Sequence, residues 1–182
     1  HALLTPTTAS NNTAVGHRAM LVTTTGNENV VVGVDALTAT NAGLYNVSVG
    51  VQAGPYETDY TNAIVGGVSV GYQAGSRMRS YSTAVGYKAG IEAYKTNFVA
   101  IGSNAGYKIG SYSVAIGDNA GYNLDDDYYV AIGFQAGKDG ASQGSIWIGE
   151  NAGQDCVAST ESIGIGKNAG KSSDASNAIY IG

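Results

Sequence analysis

A short block of residues recurs along the whole chain, and this repeat constrains the fold more than any other feature. A typical copy has a β-branched residue, a small residue, Val or Ile, and then Gly, as in Thr13-Ala14-Val15-Gly16. The ten intervals between the eleven glycines run 17, 17, 21, 15, 16, 15, 16, 16, 17 and 16 residues. A period of this length is typical of solenoids, in which each repeat stacks on its neighbours. The structural repeat positions before and at these glycines are Val15, Gly16, Val32, Gly33, Val49, Gly50, Val70, Gly71, Val85, Gly86, Ile101, Gly102, Ile116, Gly117, Ile132, Gly133, Ile148, Gly149, Ile165 and Gly166, and Gly182 ends the last copy.

The block predicts one short β-strand in each copy. Val or Ile precedes the glycine in all eleven copies, and the residue two positions earlier is also β-branched. This alternation indicates a strand whose β-branched side chains share one buried face. We expect the glycine to end the strand at a corner, where the backbone needs a positive φ or approaches another segment closely. Ala stands three residues later in all ten copies that extend that far, which indicates that only a methyl group fits inside the corner.

The central residue of each predicted strand points to the opposite face and is Ala or Ser in most copies. We expect something to approach this face closely, because a freely solvated face would carry larger polar residues. The row from Ala14 to Ala131 is therefore our predicted contact between chains. A single roll encloses little volume, so association of several chains through this row is the simplest way to complete the core.

These features predict an all-β fold, a parallel β-solenoid of about eleven coils of about 16 residues each. Residues 1–182 are expected to form a single repetitive segment. The variable stretches, such as Leu21-Val22-Thr23 and Lys108-Ile109-Gly110, are expected to supply a second short strand that flattens each coil. His1-Ala2-Leu3 matches the tail of a copy and Gly182 is a corner glycine, so we expect an interior fragment of a longer fibre without capping repeats.

Composition disfavours several other classes. Gly contributes 27 of the 182 residues, while the good helix formers Leu, Glu, Lys and Met are scarce, which argues against an α-helical fold. The net charge is −5 and the nine Lys and Arg are scattered, so we expect no nucleic-acid partner. No apolar run approaches the roughly 18 residues of a membrane span, so no membrane insertion is expected. The single cysteine, Cys156, cannot form a disulfide within the chain.

Several blocks resemble two related repeat families. The segment Val99-Ala100-Ile101-Gly102-Ser103-Asn104-Ala105-Gly106 is similar to the head repeat of trimeric autotransporter adhesins. The segments Asn12-Thr13-Ala14-Val15-Gly16 and Gly71-Tyr72-Gln73-Ala74-Gly75 are similar to a repeat found in bacteriophage tail fibres. The resemblance covers essentially the whole chain, and the Tyr-Gln-Ala-Gly and Asn-Ala-Gly endings favour the phage version.

The resemblance implies a left-handed parallel β-roll that is trimeric about the axis of a fibre. It also implies that the chain is a structural and adhesive shaft segment that mediates attachment to a cell surface. Such a segment lies outside the cell, most readily in a phage tail fibre on the virion. A bacterial surface adhesin head is the alternative. The expected partners are copies of the chain, as a homotrimer, and a glycan or protein receptor on the host cell surface. Trp147 and Tyr180 stand where Ala is usual, so less uniform contact between chains is expected near the C-terminal end.

The longest insertion, from Pro55 through Gly67, and the loop after the next strand supply the candidate binding residues. Aromatic and polar side chains on a protruding loop suit sugar stacking or contact with a partner, and the alternative is a loop that simply faces solvent. The other tyrosines either cover the edge of the roll or present an adhesive surface. They stand directly after the corner glycines, as at Tyr72 and Tyr87, or in the loops, as at Tyr112, Tyr128 and Tyr129. The candidate binding residues are Tyr56, Asp59, Tyr60, Arg77, Arg79 and Tyr81.

No catalytic site is expected. A Ser-His-Asp site would need His1 or His17, both at one end, and no nucleophile-elbow sequence is present. A carbohydrate-processing solenoid would need paired carboxylates on neighbouring coils, whereas the acidic residues nearest that pattern are isolated from one another: Asp35, Asp118 and Glu150.

Two other polar features have structural and functional interpretations. The only candidate metal site is the run Asp125, Asp126 and Asp127, for which a solvated loop tip is the alternative. The Asn and Gln residues two positions after the corner glycines are expected to form a hydrogen-bonded amide ladder. They are Gln52, Gln73, Asn104, Asn119, Gln135, Asn151 and Asn168. No cofactor is expected.

Overall fold

The computed structural model describes residues 8–22, 24–38, 43–55, 64–140, 143–156 and 160–182. Over these ranges the chain forms three-residue strands joined by turns, and it contains no helix long and apolar enough to cross a membrane. The strands of these ranges are β1 (Thr13–Val15), β2 (Val30–Val32), β3 (Val47–Val49), β4 (Val68–Val70), β5 (Thr83–Val85), β6 (Val99–Ile101), β7 (Val114–Ile116), β8 (Val130–Ile132), β9 (Ile146–Ile148), β10 (Ile163–Ile165) and β11 (Ile179–Ile181).

All these strands belong to one parallel sheet, and their order in the sheet is their order along the chain. Equivalent residues pair from coil to coil, for example Ala84 with Ala100 and Ala100 with Ala115. Because neighbouring strands in a sheet lie about 4.8 Å apart, ten steps extend the stack over about 48 Å. The prediction of an all-β parallel β-solenoid is confirmed.

The corner glycines, the glycines that follow each strand, have the conformation and the close backbone approach that the sequence predicts. From Gly16 to Gly166 their φ angles lie between +122° and +146°, a region that L side chains rarely adopt. A Cβ atom on Gly117 would lie only 2.5 Å from the carbonyl oxygen of Gly133 in the next coil. Gly133 in turn donates its N–H to the carbonyl of Ile116 at 2.8 Å. Only glycine allows the coils to stack closely at this corner.

The two faces of the sheet are reversed relative to the sequence prediction. The central residue of each strand points into the coil and is buried in β2 through β10. In none of the described strands is the first or third residue buried, so the Val and Ile side chains line the outside. The row from Ala14 to Ala131, predicted as a contact between chains, belongs to the interior of the single chain. The reason is space, because a coil this short admits mainly small side chains on its inner face.

The side of each coil opposite the sheet consists of turns, so the prediction of a second strand is wrong. Leu21, Val22 and Lys108 lie in or beside turns, and Thr23 lies outside the described residues. Among the described residues, isolated bridging on this side is limited to Leu44, which pairs with Asn27 and with Val65. Turns rather than a second sheet therefore return the chain to the next strand.

A few large side chains fill the space that the small inner residues leave. The largest hydrophobic ones that are fully buried are Trp147, Tyr129, Phe98, Met20, Leu37, Ile64, Met78, Ile109 and Leu124. Trp147 is accommodated because Gly164, its paired residue in the next coil, has no side chain, and a Cβ there would lie 2.5 Å from Cε3 of Trp147. Trp147 thus points into the core of its own chain rather than toward a neighbouring chain. The alanine three residues after each corner glycine is buried in every described copy, as predicted.

A buried amide ladder, which the repeat block does not predict, connects the first three coils. Asn29 Nδ2 donates to Asn12 Oδ1 at 3.0 Å, and Asn46 Nδ2 donates to Asn29 Oδ1 at 3.0 Å. Asn46 Oδ1 also accepts the Gly67 N–H at 2.8 Å. The ladder satisfies polar groups inside the coil, where water does not reach, and thereby holds the first coils in register.

Candidate functional site

A partly exposed apolar surface runs the length of the sheet. We call it the strand face, and it consists of the first and third residues of β1 through β11, which are Val or Ile except for Thr13 and Thr83. Within this row of β-branched side chains, Val30 is 43% exposed and Ile101 is 38% exposed. Apolar residues directly after the corner glycines extend the face on one side, namely Val34, Val51, Tyr72, Tyr87 and Phe134.

The strand face is a large and uncharged apolar surface. Ten strand spacings and three residues of strand give it about 48 Å by about 10 Å, or about 500 Å² in projection. Monomeric proteins seldom expose a larger contiguous apolar patch. None of its positions carries a charge, and pleated β-branched surfaces pack well against one another. The geometry therefore suits contact with another apolar surface.

Tyrosine rings stack from coil to coil, both beside the strand face and elsewhere on the surface. The stacked pairs and their centroid distances are Tyr72–Tyr87 (5.5 Å), Tyr107–Tyr122 (4.7 Å) and Tyr112–Tyr128 (5.2 Å). Tyr107 also donates its hydroxyl to Glu92 Oε2 at 2.9 Å, and this hydrogen bond to a carboxylate raises the pKa of Tyr107. The stacking follows from the constant register, which places equivalent residues above one another.

One surface column combines exposed tyrosines with a left-handed backbone. We call the residues five positions before each corner glycine the left-handed column, because φ is positive at all of them. The column reads Asn11, Glu28, Tyr45, Gly66, Tyr81, Asn97, Tyr112, Tyr128, Gly144, Glu161 and Asn177. Its four tyrosines are 57% to 63% exposed. The column was not among the sequence predictions, although alignment of the copies on their corner glycines would have placed these tyrosines together.

The candidate binding residues of the long insertion are only partly described by the structure. Tyr56, Asp59 and Tyr60 lie outside the described residues. Arg77 lies 5.5 Å above the ring of Tyr94 and 3.7 Å from the Glu92 carboxylate.

The other two candidates of this set lie elsewhere on the surface. Arg79 is exposed, and its backbone N–H donates to the Lys95 carbonyl at 3.1 Å. Tyr81 belongs to the left-handed column, where its ring lies against Gly66. Arg77 and Tyr81 therefore have different neighbours, and a common site for them remains a prediction.

The run of three aspartates interacts with a lysine. Lys95 Nζ lies 3.6 Å from Asp125 Oδ1 and 3.7 Å from Asp127 Oδ1, and Asp127 Oδ1 also accepts the Ser111 N–H at 2.7 Å. Within the described ranges, no group of three His, Cys, Asp or Glu residues is placed to hold a metal ion. Asp126 belongs to the same loop, and burial together with the charges of Asp126 and Asp125 raises the pKa of the buried Tyr129 well above its ordinary value.

The predicted amide row after the corner glycines forms a ladder only in places. Gln73 Nε2 donates to Gln52 Oε1 at 2.8 Å, and Asn151 Nδ2 lies 3.4 Å from Asn168 Oδ1. Asn104 and Asn119 instead contact the residue directly before them. The row shares a positive φ near +55°, which Asn tolerates better than most residues. Backbone conformation therefore explains these side chains better than a continuous ladder does.

An open notch interrupts the left-handed column near the C-terminal end. We call it the Tyr128 notch; it has a volume of about 360 Å³ and is lined by Tyr128, Gln143, Gly144, Thr160 and Glu161. It opens because Gly144 has no side chain between the Tyr128 ring of the preceding coil and Glu161 of the following coil. Its volume lies in the range of about 300–1,000 Å³ that small-molecule sites occupy.

Comparison of the chain with protein-family models, with curated proteins and with solved structures finds no match. The fold defines the chain as a repeat protein of the parallel β-solenoid type.

Proposed function

We propose that the chain is a structural and adhesive shaft segment of a trimeric fibre that attaches to a cell surface, most readily a phage tail fibre. The observation that carries the proposal is the strand face, in which the outer Val and Ile side chains of the strands are exposed or half-buried rather than buried. Covering apolar area stabilises an assembly by about 25 cal/mol per Å². Association through this face is therefore the favoured state of the chain.

Copies of the same chain are the best-matched partners for the strand face. The face repeats at one strand spacing along its length, so an identical face with the same repeat can pack against it in every coil. An arrangement around a central axis would bury the faces of all chains together and give a straight rod. The Ala row predicted for this contact is replaced in the proposal by the Val and Ile rows.

The number of chains, the left-handed coil and the attachment role rest on the family resemblance. A phage tail fibre and a bacterial adhesin head would both place the segment outside the cell, with a surface glycan or protein as receptor. A fibre needs a long, uniform rod, and the constant spacing of the described coils supports that role. The bacterial adhesin head remains the second candidate, because its repeat shares the same strand block.

The first experiment is the absolute mass of the purified chain by light scattering. A mass near three times 18.5 kDa is expected. A monomer over a wide range of concentrations would contradict the proposal, because the strand face would then remain exposed.

A pair of variants tests whether the strand face forms the contact. Ile116→Glu places a charge in the middle of the face and is expected to shift the mass toward that of the monomer, because burying an unpaired charge is costly. Asn97→Glu is the matched control, because it adds the same charge in the left-handed column, where Glu28 and Glu161 already occupy the equivalent position. An assembly that survives Ile116→Glu, or that is lost equally in Asn97→Glu, would place the contact elsewhere.

A further inference from the structure

We propose that the Tyr128 notch binds a neutral pyranose, the six-membered ring form of an uncharged sugar. This inference names a ligand class for the attachment role and rests on that proposed role for its biological meaning. The binding chemistry itself requires only residues of one chain.

The geometry of the notch comes from three consecutive coils. Tyr128, Gly144 and Glu161 are the members of the left-handed column in three successive coils, and each coil adds about 4.8 Å to the stack. The Gly144 N–H points to the Asp127 carbonyl at 3.5 Å, and the Glu161 N–H donates to the Gln143 carbonyl at 2.9 Å. These contacts hold the coils in register across the gap. A slot about one side chain high therefore lies between the Tyr128 ring and the Glu161 stem.

The Tyr128 ring forms a fixed platform on one side of the slot. Tyr112 stacks on the ring at a centroid distance of 5.2 Å with an interplanar angle of 4°. Because Tyr112 belongs to the preceding coil, the other face of the Tyr128 ring is directed toward Gly144. Tyr128 is nevertheless 60% exposed. A pre-oriented aromatic face suits the C–H-rich face of a sugar ring and loses little entropy on binding.

The remaining lining groups match the hydroxyl groups of a sugar. Gln143 offers an amide and Glu161 a carboxylate at the edge of the slot. Thr160 Oγ1 donates to Ser176 Oγ at 3.3 Å and can still accept a hydrogen bond from a ligand. In the part of the chain that the structure describes, the side chains of Gln143 and Glu161 form no hydrogen bond or ion pair. They are therefore available to donors and acceptors of a ligand.

The charge of the slot selects against acidic sugars. The Glu161 carboxylate would lie close to the carboxylate of a uronic acid, and the chain as a whole carries a net charge of −5. A galactoside is the best first probe, because its axial hydroxyl points to one side and leaves a patch of C–H bonds on the other side. That patch fits the Tyr128 ring while the hydroxyls remain free for the polar edge.

A second glycine of the column has a different neighbour in the following coil. Gly66 stands between Tyr45 and Tyr81, and there the Tyr81 ring lies over the glycine, with Cδ1 3.3 Å from the position of a Cβ. At Gly144 the nearest atom to that position is Glu161 Cγ at 3.4 Å, which belongs to a narrow aliphatic stem rather than to a ring. Gly66 is accordingly half-buried, whereas Gly144 is exposed.

The experiment is a saturation-transfer NMR titration of the whole chain with methyl β-galactopyranoside. A dissociation constant in the millimolar range is expected for this methyl glycoside of about thirteen heavy atoms. Tyr128→Ala is expected to weaken binding at least about tenfold because the platform is lost. Tyr45→Ala, a tyrosine of the same column with 57% exposure, is the matched control and should leave the affinity unchanged. No saturable binding, or equal effects of both variants, would overturn the proposal.

A blocking variant tests the slot without removing any group that contacts the ligand. Gly144→Asn places a side chain in the slot, and Asn already occupies this column at Asn11, Asn97 and Asn177 with φ between +56° and +58°. The variant should therefore keep its thermal unfolding curve and lose galactoside binding by at least about tenfold. Unchanged binding in the folded variant would show that the sugar binds elsewhere.

A charge variant tests the role of Glu161. The unmodified chain is expected to bind galacturonate at least about tenfold more weakly than the galactoside, and Glu161→Gln should remove most of that difference. Equal binding of the two sugars by the unmodified chain would overturn the role of the carboxylate. Light scattering on the same samples keeps the two proposals apart, because sugar binding can fail in an intact assembly and can persist in a monomer.

Discussion

The pairing of Trp147 with Gly164 leads to a prediction that contradicts the repeat consensus. Ala occupies the central strand position in five other coils, namely Ala14, Ala84, Ala100, Ala115 and Ala131. Gly164→Ala would therefore restore the most common residue, yet we expect it to destabilise the fold. A Cβ on Gly164 would lie 2.5 Å from Cε3 and 2.6 Å from Cζ3 of the buried Trp147 ring.

The magnitudes follow from packing. Overfilling a core costs about 1–3 kcal/mol, and the lower entropy of unfolded alanine offsets about 0.4–1 kcal/mol of that cost. Gly164→Ala should therefore lower the free energy of unfolding by up to about 2.6 kcal/mol. Trp147→Ala should lower it by about 3–5 kcal/mol, mainly through lost packing, because the buried indole N–H has no hydrogen-bond partner among the described residues. In the double variant the new methyl group occupies part of the vacated space. The double variant should therefore be more stable than Trp147→Ala alone.

Denaturant unfolding followed by far-UV circular dichroism, at equal protein concentration, measures these changes. Gly182→Ala is the control, because no atom of the described residues lies within 4 Å of its added methyl group. We expect a favourable coupling of about 1–3 kcal/mol between Trp147 and Gly164. Additive effects within about 0.5 kcal/mol, or a stabilising Gly164→Ala, would refute the argument.

Three further changes test the corner, the amide ladder and the buried phenol. Gly117→Ala combines a φ of +129° with a contact of 2.5 Å to the next coil and should cost about 3 kcal/mol in unfolding free energy, far more than Gly182→Ala. Asn46→Ala leaves the buried Gly67 N–H without its acceptor and should cost about 3 kcal/mol in the same unfolding assay; a loss below about 1 kcal/mol would contradict the ladder's role. The raised pKa of Tyr129 means that above about pH 10 the unfolded chain loses this proton while the folded chain keeps it. Stability should therefore fall by up to about 1.4 kcal/mol per pH unit above that pH, and Tyr129→Phe should remove this component from alkaline unfolding curves; an identical pH dependence in both proteins would refute it.

The strand positions could be predicted because they depend on local chemistry. A β-branched residue, a small residue, another β-branched residue and Gly define the strand and its corner within four positions, as in Val114-Ala115-Ile116-Gly117. The direction of the side chains was predicted wrongly, because we assumed that larger apolar residues lie inside a single chain. The interior of so narrow a coil accommodates small residues such as Ala115, but it has no room for a whole row of side chains as large as that of Ile116.

The candidate site could be predicted only in part. Tyr81 and Tyr128 were recognised as loop tyrosines, but their shared column depends on the register between coils. Gly144 is one more glycine among many in the sequence, and its importance comes from the neighbours that the next and preceding coils place around it. Gln143 and Glu161 lie 18 residues apart in the chain and meet only because two coils stack.

The sequence by itself determined the period, the strands, the corner glycines and the parallel stacking, because each depends on residues that are close together in the chain. Only the tertiary structure decided which face of the sheet is inside, how Trp147 fits and where the surface opens at Gly144. Those outcomes depend on the volume enclosed by a coil and on side chains one whole coil apart. Space and register across coils are properties of the stack, and no single repeat contains them.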